Sequence, residues 1–507
     1  MSSPSITVRV VCLSALVLGL GSARAERQTS QAPVRPVITH GVASGDVSAS
    51  TALIWARAND SARMHVQLSR SPRFTARAHE RIASATSSSD FTAKVRLTRL
   101  RPNTRYFYRV WFSRKAQASS KLVGSLRTAP AASTSAPISF VTSGDLAGQG
   151  YCRNVNQRGY GILGQMARLA PNAFIANGDM IYADDECPSA GPPGWQNVPG
   201  RFSSVTNPAI DWRSSNRIRR VYLAHWRYNR ADTQFRRLLR ATPLYSVWDD
   251  HEVLNDFGAA WPQYPADPNR LGYPNLVRQA RKAFFLYGLI DGGRIYRSFR
   301  WGKDVELFIL DCRSYRSLNT LADTAENAKT MLGAPQRMWL LERLRRSTAT
   351  WKLVVTGSSL AIASGQDQAR DGWANGHSRD LPTSTGFERE LRVLLTELDR
   401  ANVHNVVFLA GDVHHARELR YYGDYDGDGE RLLFHELITG PLAADRNVAR
   451  ALDPTFGPTP LYEEGGIFNF GYVRVRVASD STAHLFADVR DETGAVRPGS
   501  TLDLAPE

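Results

Sequence analysis

Acidic and imidazole side chains recur at one kind of place in this 507-residue chain, just after a short apolar run. ISFVTSGD ends in Asp145, and NAFIANGD ends in Asp179 with Tyr182 three residues on. TPLYSVWDDHE delivers Asp249, Asp250, His251 and Glu252; VELFILDCR delivers Asp311 and Arg313; NVVFLAGDVHH delivers Asp412, His414 and His415. One Gly-Asp pair after a strand is usually a turn. Several clusters rich in Asp and His are hard to explain that way. Buried carboxylates without partners are expensive, and cations among them would remove the expense, so a metal centre is the economical reading. Oxygen-rich donors with few nitrogens favour hard ions such as calcium, manganese or ferric iron over a purely zinc site.

The elements that must position these residues change character along the chain. Residues 37–128 are expected to be all-β: TALIWARA, ARMHVQLS, FTAKVRLTRL and TRYFYRVWF are short β-rich runs separated by turn residues. Tyr106, Tyr108 and Val110 alternate onto one face, as in a half-buried strand. This array fits a small fibronectin-like sandwich that packs or orients and carries no chemistry. PAASTSAP (130–137) is a small-residue hinge. After it, apolar strands alternate with helical stretches such as GYGILGQMARLA and PQRMWLLERLRRST, which predicts a layered α/β domain over 138–500. Polar groups collect where its strands end, the usual place for a ligand in such sheets.

Arg9, the apolar run 10–20 and Ala23-Arg24-Ala25 read as a secretory signal over residues 1–25. The run is too short to span a bilayer, and no other is long enough. A periplasmic or secreted location is expected, with no transmembrane segment after cleavage. The formal charge of +15 favours anionic partners, without choosing among phosphate esters, nucleic acid and acidic membranes. Removal of Cys12 leaves Cys152, Cys187 and Cys312, room for at most one intramolecular disulfide.

Together the motifs resemble the calcineurin-like metallophosphoesterase signature of an early Asp, Gly-Asp-x-x-Asp, Gly-Asn-His-Asp/Glu, a later His and Gly-His-x-His. SGDL places Asp145 at the early position. NGDMIY places Asp179 at the metal-bridging one, with Tyr182 where many relatives have Asp. WDDHEV places Asp250 at the Asn position and His251 at the phosphate-facing His, and GDVH places Asp412 and His414 last. WDDHEV, GDMIYAD, LDCRSYR and FHELITGPLA, with the N-terminal VITHGVASGDVSASTALIWAR, are similar to PhoD-type alkaline phosphatases and phosphodiesterases over nearly the whole mature chain. The later His is absent, since WKLVVTGSSLAI ends in Ser358 and Ser359.

The resemblance implies two or three cations, iron with calcium, that hold phosphate oxygens and generate hydroxide for in-line attack on phosphorus. Tyrosine at the Tyr182 position resembles purple acid phosphatases, where it binds ferric iron; a phenol of pKa near ~10 needs such an acidic cation to ionise. His251 would orient phosphate or protonate the leaving group. Arg313 would clamp phosphate oxygens or make a structural ion pair with Asp311. Asn255 is a further candidate for metal or phosphate contact. Cys152 and Cys187 are expected near the catalytic mouth; the resemblance implies Cys152 as a thiolate ligand, whereas an exported location favours a disulfide between the two.

The expected partner is a phosphate-ester substrate, with nucleic acid only as a substrate and no dedicated protein partner. A phospholipase D-like phosphodiesterase on the same scaffold and a silent polyanion-binding module are the rival readings. Two weaker signals stand apart. DYDGDG (424–429) mimics an EF-hand start but has His435 where the Glu belongs, so a calcium-free turn is expected. The Arg-rich stretch 212–240 is expected as a solvated helix face or a surface toward an anionic substrate.

Overall fold

The strand Val305–Ile309 shows the layering in five residues. Leu307 and Ile309 join one core with Leu353, Val355, Val407 and Leu409 and, from a second sheet, Phe140, Phe174, Val473 and Leu485. Phe308 faces the other way, onto Leu340 and Leu344 of the helix Gly333–Arg346 and Leu391, Leu394 and Leu398 of the helix Glu388–Arg400. Side chains alternate across a strand, so a continuous apolar run is stable only where both faces are covered. That condition produces two face-to-face sheets flanked by helices.

The computed structural model describes residues 35–74, 80–258, 272–365, 370–374 and 385–507. The leader expected over 1–25 lies outside them, as do Trp261 and Tyr264. Among the described residues no helix is long and apolar enough to cross a membrane.

One sheet has seven strands, of which Val305–Ile309, Trp351–Val355, Val406–Ala410 and Leu432–Ile438 run parallel as neighbours. The other has nine, with Ile138–Ser143, Ala173–Ala176 and Leu244–Ser246 parallel at its centre. Its last strand, Leu502–Leu504, pairs with Leu485–Ala487 and lies beyond the expected limit at 500.

The N-terminal region is a β module, but not a free-standing one. Its strands Ile38–Gly45, Ala52–Ala58 and Thr92–Leu97 continue the nine-stranded sheet, through a parallel pairing of Gly45 with Leu244. Its second sheet holds Ala62–Ser69 and Arg105–Arg114. In Arg105–Arg114, Tyr106, Tyr108, Val110 and Phe112 alternate inward as the sequence requires.

The Arg-rich stretch forms the helices Ser215–Arg230 and Thr233–Ala241. Neither expectation for its arginines holds as a whole, because several tie the module to the rest. Arg227 pairs with Asp90 at 2.9 Å, Arg219 donates to the Ser88 carbonyl, and the buried Arg230 guanidinium lies 4.5 Å from the Trp55 ring centroid. DYDGDG is the turn between the antiparallel strands Ala416–Gly423 and Leu432–Ile438, closed by backbone N–H bonds to Asp424, Asp426 and Asp428.

Candidate metal centre

The loops that follow Ile138–Ser143, Ala173–Ala176 and Val406–Ala410 carry the donors, and the chain turns sharply there. Asp145, Asp179, Asp412 and His414 all have left-handed backbone, with φ of 60°, 52°, 72° and 59°. Few residues adopt this conformation, and Asp and His do so more readily than most. Its repeated use at strand ends is the sort of strain that functional sites keep.

Two groups of donors result. In the first, the Tyr182 hydroxyl is 2.9 Å from His414 Nε2, which is 3.8 Å from Asp145 Oδ1. In the second, Asp179, Asp250 and His251 offer ligand atoms within 4.8 Å of one another, and so do Asp249, Asp250 and Asp412. The Tyr182 ring stacks on His251 with centroids 3.9 Å apart and so joins the groups. Asp179, Asp250, His251, Asn255, Asp412 and His414 line a cleft of about 200 Å³.

The backbone of the centre is clamped from behind. Glu252, fully buried, accepts N–H bonds from Asp179 (3.0 Å), Met180 (2.8 Å) and Asp249 (2.8 Å), so one carboxylate locks two strand-end loops. The His251 N–H donates to Asp179 Oδ1 at 3.1 Å. His251 Nδ1 is held by Asp184 at 2.8 Å, which leaves Nε2 as its free nitrogen. Asp184 also accepts the Asn255 N–H at 2.8 Å.

Charge at the centre is not balanced by the protein. Burial, with Asp249 and Asp250 nearby, pushes the Asp145 carboxyl up to about 8. Burial and neighbouring carboxylates also hold Asp179 and Asp412 well above the usual range. Oδ2 of Asp145 and Oδ2 of Asp412 are buried without a hydrogen-bond partner. Orphaned oxygens in a crowd of carboxylates fit divalent or trivalent cations, which would supply the missing partners. Burial, aided by the charge of His251, lowers His414 to about 3, leaving the neutral imidazole that a metal ligand requires. His251 is opposite: burial would lower it, but Asp184, Asp250 and Asp179 outweigh that and hold the imidazolium charged.

Two expected roles are corrected. Arg313 does not reach the cleft; its side chain is fully buried and its nitrogens are engaged. Nε meets Asp249, Nη2 meets Asp250 at 3.2 Å, and Nη1 meets Asp371 at 2.7 Å and the Phe257 carbonyl at 3.2 Å. It braces the carboxylates from behind instead of clamping phosphate. Nor is Asp311 its ion-pair partner: Oδ1 of Asp311 caps the Arg313 and Ser314 N–H groups and accepts from Trp248 Nε1. Cys152 is joined to Cys187 in a disulfide, so it has no thiolate to offer a metal. Tyr228 and Phe202 pack on the bridge, and Cys312 is free and buried. Replacing Cys152 and Cys187 together by Ala should lower stability by about 2–4 kcal/mol, read as a lower denaturant midpoint.

The model of the family described as PhoD-like phosphatase matches residues 146–484, and that of the PhoD-like phosphatase N-terminal domain matches 22–130. The chain belongs to the PhoD-like phosphatase family. It is therefore a phosphoester hydrolase, and its substrate is a phosphate ester. Alkaline phosphatase D of Bacillus subtilis (strain 168) is 23% identical over 504 residues, spanning 92% of this chain and 79% of that one. A solved PhoD structure shares the fold with a TM-score of 0.67 at 18% identity, covering 93% of this chain and 92% of that one. Purple acid phosphatase PPD1 from yellow lupin (Lupinus luteus) seeds shares it with a TM-score of 0.57 at 13% identity, covering 93% and 74%.

In this PhoD-like chain some residues of the centre lacked any readable sequence signal. Asp371, in the loop after WKLVVTGSSLAI, binds both Arg313 and Arg316. Gln149, Asn447 and Arg450 line the cleft from segments with no motif. Gly440 is a further case. A Cβ built there would lie 2.1 Å from Asp145 Oδ2, and its φ of 137° disfavours a side chain. Gly440→Ala should therefore push the Asp145 carboxylate aside and cost ~10–100-fold in metal affinity, measured by competition with a chelator.

Proposed function

We propose that this PhoD-like phosphatase is an exported enzyme that hydrolyses phosphate mono- or diesters with iron and calcium. The observation that carries this reading is the set of buried, unpartnered Oδ2 atoms on Asp145, Asp249 and Asp412 beside a cleft that Asp412 lines. Asp145, Tyr182 and His414 would hold iron, and Asp179 would serve both cations. Asp250 and Asp412, with Asn255 beside them, offer the oxygen donors calcium prefers. When bound, such cations polarise the ester and lower the pKa of a coordinated water. His251, anchored through Nδ1 by Asp184, presents Nε2 to the substrate side and can give its proton to the leaving oxygen. We assign 1–25 as the leader, 37–128 as the N-terminal module and 138–500 as the core of the catalytic domain. The leader, with a disulfide that an oxidising compartment permits, supports a periplasmic or secreted site.

The test is metal analysis of the purified protein, with hydrolysis of p-nitrophenyl phosphate and bis-p-nitrophenyl phosphate measured with and without added calcium. Activity on neither substrate in metal-replete protein sinks the reading. Tyr182 gives a sharper check. Its buried hydroxyl stays protonated unless a strongly acidic cation takes it, because burial and the charges of Asp145 and Asp179 raise its pKa. Ferric phenolate absorbs visible light, so iron-replete protein should be coloured and Tyr182→Phe should bleach it and weaken iron retention. Colourless, fully active protein without iron rules out the tyrosine–iron assignment.

A further inference from the structure

Arg450 is the one Lys or Arg among the described residues that line the cleft; the others include Asp179, Asp250, Asp256, Asp412 and Asp445. A guanidinium beside so many carboxylates would ordinarily pair with one. Arg450 pairs with none of these; its side chain donates from Nη1 to the Ala363 carbonyl at 3.2 Å. Most of its five donors therefore remain for a ligand.

Its position is built rather than incidental. The Arg450 carbonyl accepts from Nη2 of Arg417 at 2.6 Å, and Arg417 is itself buried. Upstream on the same loop, Asn447 is stitched to the ligand strand: its N–H donates to the His414 carbonyl at 3.0 Å and its Nδ2 to the Val413 carbonyl at 3.1 Å. The bond to Ala363 then carries the side chain across to the opposite loop. The carboxylates of Asp179 and Asp250 are buried at the floor, whereas Arg450 is exposed. A cation fixed at the mouth faces what projects outward from an ester bound at the floor.

We propose that Arg450 is a specificity-determining residue that binds a second anionic group of the substrate, so that the cleft favours phosphate esters carrying a further phosphate or carboxylate. This rests on the phosphoesterase reading only for where the scissile ester sits. A planar guanidinium binds phosphate through paired, charge-assisted hydrogen bonds, and carboxylates around it repel any second anion that lacks this contact.

Isothermal titration of the metal-loaded protein with the non-hydrolysable phosphonate analogues of adenosine 3′,5′-bisphosphate and adenosine 5′-monophosphate tests it without turnover. The protein should bind the bisphosphate analogue about 10-fold more tightly, the scale of one hydrogen-bonded contact to a charged group. In Arg450→Gln the ratio should fall to about one, and Arg450→Lys should retain part of it. A ratio near one in the unaltered protein overturns the proposal, as does a preference that survives in Arg450→Gln or a parallel loss of both affinities. Hydrolysis of bis-p-nitrophenyl phosphate, measured alongside, separates the two readings. No hydrolysis with a ratio that depends on Arg450 counts against the phosphoesterase reading alone. Hydrolysis with an unchanged ratio counts against Arg450 alone.

Discussion

Asp179→Ala should lose bound metal and at least ~100-fold of phosphoesterase turnover, beyond what loss of a residue behind the ligands costs, while the β module stays folded. Asp179 belongs to the donor group of Asp250 and His251 and is held from two sides. Its N–H is held by Glu252, its Oδ1 by the His251 N–H, and its carboxylate lies in reach of Asp250 and His251. It is the carboxylate proposed to serve both cations, so its removal should harm both sites. Metal content and turnover of the purified variant check this, with its circular dichroism spectrum as the folding control. Near-normal turnover would show that the centre has been assigned to the wrong residues.

Arg313→Ala should cost about 3–5 kcal/mol of stability, the range for breaking a fully buried ion pair from one side. The loss comes from what is left behind. Asp249, Asp250 and Asp371 are buried to within a few per cent and would lose their shared cation. Asp371 would still have Arg316 at 2.7 Å, so most of the penalty falls on Asp249 and Asp250. Arg313→Lys should recover only part, because a single ammonium cannot meet carboxylates in three directions. The denaturant midpoint of metal-free protein measures the effect apart from the cations. A shift below ~1 kcal/mol, the size of an exposed pair, would mean that the network is solvated and that Arg313 is not its keystone.

The buried lattice around Arg313 also marks where sequence reading stops. LDCR announces an arginine after a strand, and an arginine near metal motifs suggests phosphate. Its target depends on which side of the strand-end layer the guanidinium exits. That is set by Asp371, 58 residues further along the chain. Cys152 is similar: closeness to Asp145 in sequence suits a ligand, but the thiol is claimed by Cys187, 35 residues away. Glu252 was visible as part of DDHE. Its role as a triple N–H acceptor exists only because the loop after Ala173–Ala176 lies against it.

Legible in the sequence alone were the apolar strands alternating with helices, the alternation at Tyr106, Tyr108 and Val110, and the set of strand-end Asp and His residues. These follow from period-two packing and from the chemistry of side chains near one another in the chain. Only the tertiary structure decided that the N-terminal module shares a sheet with the catalytic layers, through Gly45 and Leu244. It alone placed Arg450 at the mouth, kept room for the Asp145 carboxylate beside Gly440, and turned Arg313 inward. Each of these contacts joins segments far apart in sequence, and its energy depends on burial and distance, which no local pattern encodes.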